Sequence, residues 1–153
     1  MNVGFGHSAG FSSVFLRLAL SLSYLSAVAD RFGWWGAFGQ PNVAWGDFAR
    51  FVDYTAKLNW FLPQAAIPPL AVLVTVAETL FGVLLLVGWQ TRIAALASGI
   101  LLTIFAVVMT LALGIKSPLN LSVFSAAGGS LLLAACPVFP LSLDKLRGYG
   151  SDY

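Results

Sequence analysis

An acid in the middle of an apolar run is the tightest constraint this chain carries. Ile67 to Gly88 is an apolar stretch with two prolines at its entrance, Pro68 and Pro69, and one carboxylate, Glu78, at its centre. At 1.5 Å per residue, roughly 20 apolar residues cross the ~30 Å hydrocarbon core of a bilayer. Glu78, about 15 Å in from Gly88, would then sit near the midplane. A lone charge at that depth costs on the order of 2.5 kcal/mol or more. Glu78 must therefore be protonated, paired or lined by water.

The rest of the chain supports a membrane reading. It is 59% hydrophobic and 9% charged, with a mean hydropathy of +0.87, where soluble domains carry about 25% charged residues. Its 153 residues suit one membrane domain spanning 1–153, because every apolar run is needed to build a single bundle. The net charge of +2 is too small, and its bases too scattered, for a nucleic-acid partner.

In chain order, Gly6-His7-Ser8-Ala9-Gly10 spells a nucleophile elbow and Gly4-x-Gly6-x-x-Ala9 a variant dinucleotide fingerprint. Both motifs need a preceding strand, which this short amino-terminal stretch cannot supply, and His7 is the single histidine. The first apolar run has Arg17, Ser21, Tyr24 and Arg31 on one helical face, which should look inward. A signal peptide ending at Ala27-Val28-Ala29 is the rival reading, opposed by the apolar FSSVFL that precedes Arg17. The connection that follows, an interfacial segment over 33–63, is rich in Trp34, Trp35, Phe38, Trp45, Trp60 and Phe61, residues that favour the membrane–water boundary. Within it, Trp45, Phe48, Phe51, Val52, Thr55 and Leu58 alternate at helical spacing with Asp47, Arg50, Asp53 and Lys57. Asp53 and Lys57 stand at i,i+4. The pattern predicts an amphipathic helix over 46–59, lying on the membrane or packed on the bundle. The turn at Trp89-Gln90-Thr91-Arg92 forces the next helix antiparallel, and Lys116-Ser117-Pro118 forces another reversal. Ser122, Ala126 and Ser130, with Ser125 and Gly129 beside them, make a small-residue surface for close helix approach.

The expected architecture is all-α: a polytopic, antiparallel bundle of four transmembrane helices at 11–31, 66–88, 92–114 and 119–138, with the interfacial helix between the first two. Glu78 and Arg17 are expected to meet inside it, directly or through a water or Tyr24. Arg17 lies about 9 Å deep against about 15 Å for Glu78, a gap two side chains can close. Trp34, Trp35, Trp45 and Trp60 should lie at one interface and form the surface for partners. The basic residues divide evenly between the two sides, so orientation rests on a preference for cytoplasmic termini in a bacterial inner membrane. That choice turns the aromatic cap toward the side where electron donors and secreted proteins are found.

Several stretches resemble the DoxX family of bacterial four-helix membrane proteins: LRLAL around Arg17, ADRFGWWG at Ala29 to Gly36, AETLFGVLLLVGWQTRIAALAS at Ala77 to Ser98, and LGIKSPLNLSVFSAA at Leu113 to Ala127. The most specific residues are Glu78 followed by Gly82, then Gly88, Thr91 and Arg92. The resemblance implies kinship with DoxD, the membrane subunit of a thiosulfate:quinone oxidoreductase, and work alongside redox partners. It transfers no catalytic residue.

The residue inventory narrows the chemistry. Thiol–disulfide exchange needs two cysteines and Cys136 is alone; at a helix end it reads as a small buried hydrophobe. One histidine cannot provide bis-histidine haem ligation, and no Cys/His cluster has metal-ligand spacing, so no metal and no resident cofactor is expected. A quinone or similar lipophilic molecule against Glu78, Arg17 and Tyr24 remains a candidate ligand, since a buried acid with a raised pKa could supply a proton to it. Three functions compete: an accessory or anchoring subunit of a membrane redox complex, docking protein partners or its own copies; a quinone-linked oxidoreductase subunit; and a small transporter. No broken helix pair or inverted repeat supports the third.

Overall fold

The computed structural model describes residues 4–147, with side chains from residue 10 onward. All of its regular structure over that range is helical: α1 (Gly4–Arg31), α2 (Phe48–Leu58), a short 3-10 turn (Gln64–Ala66), α3 (Ile67–Val87), α4 (Thr91–Leu113), α5 (Lys116–Asn120), α6 (Val123–Ala135) and α7 (Leu143–Leu146). The glycine motifs of residues 4–10 lie inside α1, so their backbone forms neither an elbow nor a phosphate loop.

Among the described residues, three helices are long and apolar enough to cross a membrane: Gly10–Arg31, the segment Gln64–Val87, and Thr91–Leu113. The fourth expected span, 119–138, is interrupted. α5 ends at Asn120, Ser122 takes a left-handed conformation (φ 54°), and α6 runs only 13 residues. Ser122 therefore sits in the break and not on the small-residue surface expected of it. That surface is formed lower down, where Ser130 and Ala127 are buried and Gly129 faces Leu16 of α1.

Local chemistry explains the helix ends. Pro68 and Pro69 occupy the first turn of α3, where their missing N–H groups cost nothing. Gly88 closes that helix at φ 69° with its N–H on the Leu84 carbonyl (2.9 Å), a left-handed cap that glycine adopts without a Cβ penalty. α2 is capped by Asp47, whose carboxylate accepts from the Arg50 N–H at 2.9 Å. The ion pair α2 forms is Asp47 with Arg50 (3.3 Å), not the expected Asp53 with Lys57; both partners are about half exposed, so it adds little.

Interhelical contacts set an antiparallel register. Ser21 donates to the Gly82 carbonyl (2.8 Å) across α1 and α3. Across α4 and α6, Ser98 meets Ser130 (2.9 Å) and Arg92 reaches the Cys136 carbonyl (3.1 Å). Leu20, Tyr24, Leu85, Ala94, Ala95 and Leu133 make the apolar centre. Polarity is arranged inside out: Ser13, Arg17, Ser21, Arg31, Thr75, Glu78, Ser98 and Ser130 are buried, whereas Leu73, Val76, Leu80, Ile93, Ile100, Ile104 and Leu111 face outward. Water would penalise that outer surface and lipid does not.

Candidate functional site

The site is built where α1 ends. Its last two residues, Asp30 and Arg31, turn inward together and do different work. One Asp30 carboxylate oxygen, Oδ2, accepts from the backbone N–H groups of Ala44 and Trp45, each at 3.0 Å, and so folds the aromatic loop back over the helix end. Arg31 forms the ion pair with Glu78 of α3, both side chains almost wholly buried. Its Nη1 donates to the Thr75 hydroxyl at 2.9 Å, and the Thr75 hydroxyl in turn donates to the Ala71 carbonyl (2.9 Å). The guanidinium plane is covered by the Phe51 ring, 3.7 Å from centroid to Cζ, with Trp45 at 5.2 Å. Trp45 and Phe51 hold one another edge to face (5.2 Å, 78°). Arg31 is 2% exposed and Glu78 4%. Pairing, a hydrogen bond from the guanidinium to a hydroxyl and an aromatic cover together answer the cost that a buried ion pair raises.

Arg17 is not the partner of Glu78. It donates to the carbonyls of Pro140 (3.5 Å) and Leu141 at the opposite end of the bundle. The reason is directional. Side chains on a helix lean toward its N-terminus, and α1 runs antiparallel to α3, with Ser21 level with Gly82. Arg17 therefore leans toward Gly88 and away from Glu78, while Arg31 leans back toward Thr75 and Glu78. Tyr24 is also directed elsewhere. Its hydroxyl meets Ser98 Oγ at 2.7 Å, and Ser98 meets Ser130, a buried hydroxyl chain that ties α1, α4 and α6 together. Tyr24→Phe leaves Ser98 one partner, so a loss of about 1 kcal/mol in unfolding free energy is expected, measurable by denaturant titration in mixed micelles.

The four cap tryptophans divide. Trp34 (81% exposed), Trp60 (73%) and Trp35 stand outward with Phe38 and Phe61, whereas half-buried Trp45 belongs to the ion-pair site. Arg50 lies over the Phe38 ring (3.8 Å), tying the loop to α2. Beneath the cap is a cavity of about 610 Å³, lined by Arg31, Glu78, Trp45, Phe51 and Tyr54 at its head and by apolar side chains of α3 and α4 below. Burial holds the Tyr54 phenol above its ordinary pKa, so it contributes a neutral hydroxyl to the lining. Cys136 is half-buried at the far end of the bundle.

Arg31 stood on the inward face read from the sequence. Asp30, Thr75 and Phe51 as members of the site were missed, because their roles depend on how the cap folds over α1. Asp30 beside Arg31 at the end of an apolar run was the one available signal.

These features define a helical, multi-pass membrane protein with a buried ion pair under an aromatic cap. The chain belongs to the MauE family: the model of that family, described as methylamine utilisation protein MauE, matches residues 9–120. No curated protein and no solved structure matches the chain. The family match corrects the DoxX resemblance. The residues that suggested DoxX serve general needs of packed membrane helices: Gly82 lets α1 approach, since a Cβ there would meet Leu25 Cγ at 3.0 Å, Gly88 supplies a left-handed cap, and Thr91 opens α4. Such features do not separate one family of helical membrane proteins from another. The matched region contains both members of the ion pair and ends before α6.

Proposed function

We propose that this MauE-family chain is an accessory membrane component of a redox system of the methylamine-utilisation kind, and that it holds a partner protein at its aromatic cap. The observation that carries this reading is the rim of Trp34, Trp35, Phe38, Trp60 and Phe61, exposed on a cap that the buried Asp30, Arg31 and Glu78 contacts hold in place. Rigid, exposed aromatic side chains are the residues that anchor protein interfaces. The outer face of α2 carries Arg50 and Lys57 against Asp47 and Asp53, a balanced charge that favours a protein over an anionic lipid surface. With one cysteine and one histidine, a supporting role accounts for the inventory better than catalysis does.

In this reading residues 1–153 form one domain in the bacterial inner membrane. α5 and α6 together make a fourth crossing, α2 lies at the membrane–water boundary, and both termini are cytoplasmic, which turns the cap outward.

A photo-crosslinking residue at Trp34 or Trp60 tests this in cells growing on methylamine. A discrete adduct with a soluble redox protein is expected there, and lipid adducts only from Leu80 on the outer face of α3. The reading fails if the cap positions label lipid alone and removing the chain leaves growth on methylamine unchanged.

A further inference from the structure

At the end of the bundle opposite the cap, the segment 137–147 is polar on its inner side and apolar on its outer side, the reverse of what water selects. Ser142 and Asp144 are buried, whereas Leu141 (80% exposed), Leu146 (83%) and Leu143 stand outward. The inner groups are satisfied within the chain: Ser142 Oγ donates to the Phe139 carbonyl and accepts from the Lys145 N–H (3.1 Å), and the Asp144 carboxylate accepts from the Gln90 and Thr91 N–H groups. These bonds lay the segment across the end of α3, so close that a Cβ at Gly88 would meet Ser142 Cα at 2.8 Å. Gly88 and Thr91 bound two of the membrane-crossing helices, which puts the segment level with the membrane–water boundary, beside Trp89. Leucines turned outward there meet lipid.

Exposed charge is divided unevenly between the two ends of the bundle. At the cap, Arg50, Lys57 and Lys116 are set against Asp47 and Asp53. At this end Arg92, Lys145 and Arg147 are exposed, and the acid among them, Asp144, is buried on backbone N–H groups, so among the described residues no exposed carboxylate offsets the three bases. Two of the guanidinium groups are positioned by contacts that leave their charge uncancelled. Arg92 Nη2 donates to the Cys136 carbonyl at 3.1 Å, and Arg147 lies 5.6 Å from the centre of the Trp89 ring.

We propose that this end of the protein is a docking surface for anionic phospholipid, with Leu141, Leu143 and Leu146 among the acyl chains and Arg92, Lys145 and Arg147 on the phosphate-bearing head groups. Apolar side chains beneath a basic rim hold an anionic bilayer surface by buried area and by charge together. The surface lies at the far end of the bundle from the cap, so it stands whether or not the cap holds a partner protein.

Phosphatidylglycerol and phosphatidylcholine with the same acyl chains, added in equal amounts to the full chain in detergent micelles, can be counted as bound adducts by native mass spectrometry. Phosphatidylglycerol should be retained in preference. Lys145→Gln combined with Arg147→Gln, two exposed positions outside the core, should weaken its binding about fivefold for each charge removed and leave phosphatidylcholine unaffected. Arg50→Gln combined with Lys57→Gln at the cap should leave the preference as it was. In cells, a photo-crosslinking residue at Leu146 should label phospholipid. Equal retention of the two lipids, a preference that survives loss of Lys145 and Arg147 or disappears with the cap variant, or a protein adduct at Leu146 in place of lipid overturns the proposal.

Discussion

Arg31→Met is expected to lower the unfolding free energy by about 3–5 kcal/mol, because it strands the Glu78 carboxylate in a site closed to water. Glu78→Met should cost a similar amount by stranding the guanidinium between Phe51 and Trp45. The double variant should recover most of the loss, since two apolar side chains of similar length replace a pair whose desolvation nearly cancels its attraction. Denaturant titration of the four proteins in mixed micelles gives the coupling directly. Additive losses would mean that the two residues act separately. A second readout follows from Asp30. Its bonds to Ala44 and Trp45 do not involve Glu78, so the cap backbone should stay ordered in Glu78→Met, with Ala44 and Trp45 amides still slow to exchange.

Asp144→Ala should be nearly as damaging, at about 2–4 kcal/mol. The carboxylate accepts from the N–H groups of Gln90 and Thr91, each at 2.7 Å, at the start of α4. These are charge-assisted bonds to a helix N-terminus, and both donors lose their partner at once. The Asp144 N–H in turn donates to the Gly88 carbonyl (3.0 Å), and Arg147 lies over Trp89 at 5.6 Å. The segment 137–147 is thus a latch across the turn between α3 and α4, with Arg17 holding its other side through Pro140 and Leu141. Limited proteolysis should cut Asp144→Ala in this segment while leaving α1 and α3 intact. Equal resistance of wild type and variant would show that the latch does not depend on the carboxylate.

That latch shows where reading the sequence stopped short. Asp144, Lys145 and Arg147 look like a polar tail because nothing local marks Asp144 as the cap of a helix that begins 53 residues earlier. The same limit explains the fourth span. Its composition is apolar from Leu119 onward, yet whether the chain continues as one helix through Ser122 depends on small free-energy differences that tertiary contacts override.

Much was nonetheless determined by the residues alone. Apolar runs separated by Trp89-Gln90-Thr91-Arg92 and by Lys116-Ser117-Pro118 dictate helices that reverse, because lipid leaves the backbone no other way to satisfy its hydrogen bonds, although the second break falls earlier, at Gly114-Ile115, with Lys116 already opening α5. A carboxylate at Glu78 dictates a buried partner, because its charge cannot stand alone there. Periodicity places Arg17, Ser21, Tyr24 and Arg31 on one inward face. Which arginine answers Glu78 was left to the tertiary structure. Depth along the membrane normal favoured Arg17, but register and the lean of side chains toward the helix N-terminus bring Arg31 to Glu78 and send Arg17 to the latch. Periodicity fixes the face on which a side chain stands; only the packing of a second helix fixes what stands opposite it.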